Sequence, residues 1–387
     1  VGSVPFNSET FLVIKTANPM NWFKIAFLAF TPILGIPVLA IHTYYSGFEW
    51  WMPALFFSLY CLTGLCICAG YHRYYSHRSY ECSKLVQLFY AVFGAMSIQN
   101  SILQWSSGHR RHHAHAESEW DPYSIKRGFW WAHIIWIFHD DNTAYRQDNV
   151  RDLAKDPIVK WQDKWYMWIV ILGGFGFPTL VGWLMGNAVA GLLWGGFLRI
   201  ILVHHSTFFV NSLAHYFGEP TYDENATARD NWAVALLTFG EGYHSFHHRF
   251  PSDFRNGVRW FAWDPAKWFI STLKLLGMAH KLNATAAPKI EKARMKAAIK
   301  RVEARIAQAE PSISAELRER IQRAHDAFDS ALELWRKQAK ERKAGLDEQW
   351  EETRKMYRTR LKQARREWRE VLRAYKALGS TDESPAT

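Results

Sequence analysis

The sequence predicts an all-α integral membrane protein with four transmembrane helices, a histidine-rich helical cap on one side of the bilayer, and a C-terminal helical, coiled-coil-like extension. Three observations carry this. Four stretches, about residues 22–45, 50–70, 165–185 and 189–209, stay apolar over the roughly 20 residues a helix needs to cross the hydrocarbon layer. The histidines gather beside the ends of these stretches. From residue 284 onward the apolar, Trp-rich composition gives way to mixed charge, with apolar residues at steps of three and four.

Composition supports the division. Of 387 residues, 49% are hydrophobic and 16% aromatic, enough for a large core. A cut near "KLNATAAPK" separates residues 1–283, the membrane domain, from 284–387, the charged extension. The net charge of +11 sits mostly in the extension, where 25 Lys and Arg face 17 Asp and Glu from Thr285 onward. Such a mixture suits a solvated helix near an acidic surface, and nucleic acid is not expected because no face is purely basic. Cys61, Cys66, Cys68 and Cys82 lie in or beside apolar runs and read as small buried hydrophobes, not as a disulfide set. The first apolar run lacks the flanks of a cleavable signal peptide.

The links within the two span pairs, residues 46–49 and 186–187, hold no Lys or Arg. Lys15, Lys24, Arg73, Arg78, Lys84, Arg110, Arg111, Lys126 and Arg127 all fall on the other side. Since positive charge is retained in the cytoplasm, both termini and the segment between the second and third spans are expected there, in a bacterial inner membrane. Leu85–Ile98 is apolar but too short to cross, and reads as an interfacial or core helix.

Nine histidines fall at the cytoplasmic ends of the spans or on the cytoplasmic segments. They are His72 and His77 in "HRYYSH", His109, His112 and His113 in "HRRHH", His215 in "NSLAH", and His244, His247 and His248 in "HSFHH". Positions i, i+3 and i+4 share a helix face, so each HxxHH array is expected to converge on one point. His72 and His77 are five apart, a spacing that needs a bent helix end or two different metals. A lone buried histidine with a satisfied hydrogen bond is the ordinary case, and His42, His133, His139, His280 and His325 are read that way. For His204 and His205, packing, a headgroup role and support of a ligand stay open; His115 is a candidate partner of a ligand.

Neutral imidazole binds Fe, Zn, Cu and Ni. Nine ligands exceed the four of a tetrahedral zinc, so two metals are implied. Held by imidazole at the water boundary of an apolar bundle, they suit a reaction on a lipid chain. Zinc has no redox chemistry, whereas iron activates dioxygen, as attack on an unactivated C–H bond requires. The Glu and Glu-x-x-His ligands of soluble di-iron bundles are missing.

In order and separation, "HRYYSH", "HRRHH", "NSLAH" and "GEGYHSFHH" resemble the integral-membrane fatty acyl desaturases of the stearoyl-CoA, or delta-9, type. "ESEWDP", "RGFWWAH", "FHHRFPSDFR" and "WDPAKW" agree, and the likeness covers about residues 20–275. It implies an O2-dependent enzyme with two iron ions that places a cis double bond in a saturated acyl chain. The nine histidines would be the metal ligands, and Asn211 would reach one metal through water. Trp105 and Thr207 match residues that line the bend of an acyl tunnel. Tyr60 and Gly64, two to three turns before His72, would stand at its closed end, where bulk limits chain length. Glu117, Glu119, Asp121 and Glu241 are the carboxylates expected to orient the ligands.

Where animal members carry an Arg-Asp pair for the CoA headgroup, this chain has Ser107 and Gly108. Lys126, Arg127, Arg110 and Arg111 are the alternative phosphate contacts. Acyl-CoA is favoured over an acyl-lipid or an acyl-carrier protein. No His-Pro-Gly-Gly haem signature occurs in the sequence, so electrons are expected from an external ferredoxin or cytochrome b5 with its reductase. The competing readings are a di-iron membrane hydroxylase or alkane monooxygenase, and a non-catalytic metal-binding or transport protein; transport would want ionisable residues within the spans, and here they cluster at the cytoplasmic ends.

In the extension the apolar stripe runs Leu317, Ile321, Ala324, Phe328, Ala331, Trp335, then Leu346, Trp350, Thr353, Tyr357, Leu361, Ala364, Trp368, Val371, Tyr375 and Leu378. A helix over about Lys289–Ala309 precedes Pro311, and Gly345 is a natural break. An intramolecular hairpin is the first expectation; self-association or docking of a reductase through the aromatic stripe is the second.

Overall fold

Asn21 opens the first helix by accepting a hydrogen bond from the Lys24 amide at 3.0 Å. The chain is described by a computed structural model over residues 19–139, 147–306 and 311–380. Lys15 and Ala309, and the side chains of Tyr375 and Leu378, lie outside the described residues.

Four helices are long and apolar enough to cross a membrane: α1 (Trp22–Ser46), α2 (Trp51–Ser76), and two that follow the segment between the pairs. That segment contributes α3 (Lys84–Ala95), α4 (Ile102–His115) and α5 (Phe129–His133). The second pair is α6 (Pro157–Leu184) and α7 (Ala188–Tyr216). The short α8 (Trp232–Leu237) and α9 (His244–Arg249) and then α10 (Pro265–Leu275) complete the first of two compact units, residues 1–219 with 227–284. A two-residue antiparallel pairing of Glu81–Cys82 with Ala279–His280 is the one sheet among the described residues.

The spans divide by burial into an outer and an inner pair. Only 6% of the apolar window of α1 and 22% of that of α6 is buried, against 50% for α2 and α7. The outer helices turn Phe30, Ile33, Leu34, Leu172 and Leu180 outward, as lipid-facing surfaces do. The inner helices carry histidines at their ends. Where α6 meets α7, a Cβ on Gly182 would stand 2.6 Å from the Gly191 Cα, so only two glycines allow that backbone approach. The protein is thus an integral membrane protein by its four spans.

The spans are longer than the sequence windows in three cases. Asp156 caps α6 through the amides of Ile158 (2.8 Å) and Val159 (3.3 Å), with Pro157 in the first turn, so the third span starts eight residues before position 165. α2 and α7 continue past 70 and 209 because their polar ends are buried by the histidine cap, not exposed. α3 is the short core helix expected of Leu85–Ile98, opened by Ser83 and buried along Val86, Gln87, Tyr90 and Ala91.

An arginine lies near the middle of a span, contrary to the expectation that the ionisable residues cluster at the ends. Arg199 of α7 is fully buried, its Nε donating to the Gly195 carbonyl at 2.8 Å and its Nη2 to that of Gly174 at 2.9 Å, with the Met96 carbonyl taking Nη1. Gly174 and Gly195 belong to wide, π-type turns, at Val170–Gly176 and Leu192–Leu198, where the usual helix bonding is interrupted. The guanidinium satisfies those carbonyls and joins three helices, a structural use of the charge.

The second unit is residues 220–226 with 285–387. It holds α11 (Ala287–Ile306), α12 (Pro311–Lys343) and α13 (Asp347–Ser380). α12 and α13 form the expected hairpin, broken at Gly345 with φ +72°. Leu317, Ile321, Ala324 and Phe328 of the stripe pack with Ala364 and Val371 of α13 and with Met295, Ile299 and Val302 of α11.

Candidate metal centre

The nine histidines are delivered by two span ends and two cap helices. The last eleven residues of α2, Cys66–Ser76, form a π-helix. There the His77 amide donates to the His72 carbonyl at 3.1 Å, a bond of five residues' reach. The wider π turn brings the two side chains closer in direction than an α turn would, with ring centres 4.9 Å apart. The awkward spacing in "HRYYSH" is therefore matched by a helix of wider pitch, and both rings serve one centre.

The ring nitrogens form two groups. His72, His77, His109, His113 and His247 make one; His112, His215, His244 and His248 make the other, each with its nitrogens within 4.8 Å of one another. This corrects the expectation that each HxxHH array converges on one point. On α4, His109 and His113 join the first group while His112 joins the second; on α9, His244 and His248 join the second while His247 crosses to the first. Neighbouring residues on a helix diverge by about 100°. Two facing helices therefore each give an i, i+4 pair to one centre and the intervening ring to the other.

All nine rings meet through Nε2. His72 and His247 approach to 2.9 Å, His77 and His109 to 2.8 Å, and His113 and His247 to 2.9 Å. In the second group the pairs are His215–His244 at 2.9 Å, His244–His248 at 3.0 Å and His112–His248 at 3.3 Å. Adjacent ligands of a six-coordinate ion with bonds of about 2.1 Å stand about 3.0 Å apart, so these separations fit ligand edges around an ion.

The opposite ring nitrogens fix which nitrogen carries the proton. His72 Nδ1 is 2.7 Å from Glu241 and His112 Nδ1 is 2.8 Å from Asp121, both carboxylates buried. His215 Nδ1 is 2.8 Å from the Thr227 hydroxyl, and His109 Nδ1 is 3.4 Å from that of Tyr123. With Nδ1–H donated outward, Nε2 is a bare lone pair facing other imidazole nitrogens, an arrangement a cation resolves. Burial, reinforced by the other imidazoles, holds His77, His109, His113, His244, His247 and His248 well below the usual histidine pKa. They are neutral at pH 7 and ready to ligate. The residues fit a metal cofactor.

Of the four orienting carboxylates expected, Asp121 and Glu241 touch ligands directly. Glu117 acts one step further out, accepting from the Thr227 amide, while Glu119 is exposed on the surface. Thr227 and Tyr123 carry no sequence signal of their own and come from the fold. Asn211 stands half-buried, four residues before His215, and α7 bends between them at Ser212.

Among the substrate candidates, Trp105 stacks on His109 with ring centres 5.0 Å apart. Its Nε1 donates to Gln99 Oε1 at 3.3 Å, and Gln99 Nε2 donates to Thr207 Oγ1 at 2.9 Å. Gln99, absent from the sequence candidates, thus ties the two expected bend residues together. Tyr60 and Gly64 both meet Phe239: the Tyr60 ring centre is 5.3 Å from it, and its edge occupies the space a Gly64 side chain would fill.

The cations proposed for the headgroup have other engagements. Arg110 donates to Asp152 and to the Ser76, Tyr75 and Asn149 carbonyls, a structural strut. Lys126 is exposed, 3.6 Å from Glu117, and the exposed Arg127 guanidinium lies 3.3 Å over the Trp131 ring. Neither adjoins the histidines by these contacts. Ser107 is hydrogen-bonded to Asn149 in both directions, at 2.9 and 2.8 Å. Of the ordinary histidines, His133 bonds Ser212 at 3.0 Å and also His205 at 3.1 Å; His204 bonds the Ser97 carbonyl at 2.9 Å, so both histidines whose role was open have structural hydrogen bonds.

The fatty acid desaturase family model matches residues 49–272. Acyl-CoA desaturase 1 of Saccharomyces cerevisiae is 37% identical over 279 residues, covering 71% of this chain and 54% of the yeast protein. The sn-2 palmitoyl-lipid 9-desaturase of Nostoc sp. is 38% identical over 241 residues, 61% of this chain and 82% of its own length. Stearoyl-CoA desaturase 5 of Homo sapiens is 37% identical over 248 residues, 61% of this chain and 74% of its own length. This chain spans about half the length of the yeast relative. With the family model matching more than half of its residues, the chain belongs to the fatty acid desaturase family.

Proposed function

We propose that this protein is an O2-dependent, di-iron fatty acyl desaturase that places a cis double bond, at the delta-9 position, in a saturated chain presented as acyl-CoA. The observation that carries the proposal is the pair of Nε2 clusters, of five and four imidazoles, beside the ends of the inner spans. Relatives named for acyl-CoA and for acyl-lipid substrates support the acyl chain, with the thioester favoured. Two bound irons would supply dioxygen activation and the removal of two hydrogens from adjacent CH2 groups. Two electrons from an external ferredoxin or cytochrome b5, with its reductase, and two protons complete the reduction of O2 to two waters.

The chain's own residues do the rest. The nine histidines would hold the metals, with Asn211 a further candidate through water, and Glu241 and Asp121 keep His72 and His112 in the Nδ1–H tautomer. The Trp105–Gln99–Thr207 bridge sets the bend that favours cis geometry. Tyr60, Gly64 and Phe239 form the closed end and measure chain length. Lys126 and Arg127 present exposed charged ends to headgroup phosphates. Both termini and the metal centre face the cytoplasm by the distribution of positive charge.

Fatty-acid profiling of cells expressing the full chain tests this reading. New cis-monoenes at delta-9 are expected. Hydroxy acids or alkanols would replace it with the hydroxylase or monooxygenase alternative, and unchanged lipids in cells supplied with iron and a competent electron donor would remove it.

A further inference from the structure

The segment "WDPAKW", Trp263–Trp268, contributes nothing to either nitrogen group, yet its Asp264 is fully buried. We propose that Asp264 is a remote positioning residue that fixes the His72 ring, and with it the five-histidine centre, through Arg73 and Glu241. The inference rests on the reading that the nitrogen groups hold metal.

The chain of contacts is continuous. Asp264 caps α10 by accepting from the Lys267 amide at 2.9 Å. Its Oδ2 accepts from the Asn256 and Gly257 amides at 2.8 and 3.0 Å, and both Arg73 Nη atoms reach the same carboxylate, at 3.2 and 2.9 Å. Arg73 then turns its Nε and Nη2 to Glu241 Oε1, at 3.1 and 2.9 Å. The other oxygen of Glu241 accepts from Asn256 Nδ2 at 2.7 Å and stands 2.7 Å from His72 Nδ1.

Every oxygen of Glu241 is occupied, so its carboxylate cannot rotate without breaking an Arg73 or Asn256 contact. Arg73 cannot move either, because Asp264 and the Phe254 carbonyl hold its far side. Arg73 and Lys267 balance Glu241 and Asp264, which leaves the buried group neutral and avoids the cost of an unpaired charge. The Lys267 amine donates to the Gly257, Arg259 and Ala262 carbonyls at 2.7, 2.9 and 3.2 Å and fastens that loop. Partners of this outer kind change metal affinity about 10–100-fold when removed. His112, at the other centre, rests on Asp121 and is untouched by this chain.

The test compares Fe(II) binding by the purified full-length wild type and Asp264→Asn, with chelator-resistant iron and Mössbauer spectra as readouts. Two irons per chain are expected in the wild type. In Asp264→Asn one centre should lose Fe(II) affinity about 10–100-fold while the other keeps its signal. Asn256→Ala, a milder change that removes one donor from Glu241 further along the same chain of contacts, should show the same selectivity and serves if Asp264→Asn fails to fold. Equal weakening of both centres would mark a merely structural role, and unaltered binding would remove the proposal; either overturns it. A wild type that binds no metal would instead sink the proposed function, so the two failures are distinct.

Discussion

At the scale of single residues, the division of each HxxHH array between two centres has direct consequences. His247→Ala should deplete the five-histidine centre and His112→Ala the four-histidine centre, although each lies between members of the opposite group in sequence. Both variants should insert normally and fall below about 1% of wild-type turnover, since the proposed chemistry needs both metals. Iron content and activity on the same preparations check this. Tyr60→Ala should open the proposed closed end and lengthen the preferred chain, each added methylene being worth about 1–3 kcal/mol in such a pocket; competition between acyl chains of different length measures it. All nine histidines of the two nitrogen groups were legible in the sequence as spaced residues. Their partition was not, because it depends on how α4 and α9 face each other, and no linear spacing encodes that.

At the scale of elements, the wide turns of α2, α6 and α7 decide where functional groups land. The π-helix at Cys66–Ser76 aligns His72 with His77, and those of α6 and α7 release carbonyls to Arg199. Hydropathy finds the spans but not these turns, since a π segment differs from an α segment by one residue in the reach of its hydrogen bonds and not by composition. Asp156-Pro157 is the signal that would have placed the start of α6 correctly. Gln99, in the link between α3 and α4, is a comparable case: it looks like a polar helix stop and proves to join Trp105 to Thr207. Gln99→Leu removes two hydrogen bonds, at a cost of about 1 kcal/mol each, and should broaden the position of the new double bond. Mass spectrometry of the monoenes detects that; a single unchanged isomer would deny the bridge a role in the bend.

At the scale of the whole molecule, two units with separate cores imply separable stability. A chain ended at Ala284 should still insert and keep both metals, because every residue of the two nitrogen groups lies in the first unit. The metal-free protein should lose stability as the pH falls. Its depressed histidines stay neutral in the folded state, while in the unfolded chain they take up protons below about pH 6.5. Their contribution is thus complete above that pH and is lost progressively beneath it, and thermal unfolding in detergent between pH 8 and 5 records the slope. A flat profile would mean that the imidazoles are less buried than described.

The most direct measurement is anomalous diffraction at the iron edge from crystals of catalytically active protein. Two iron peaks are expected, one among His72, His77, His109, His113 and His247 and one among His112, His215, His244 and His248. Active crystals with no iron signal, or with iron away from these rings, would contradict a histidine-held iron pair.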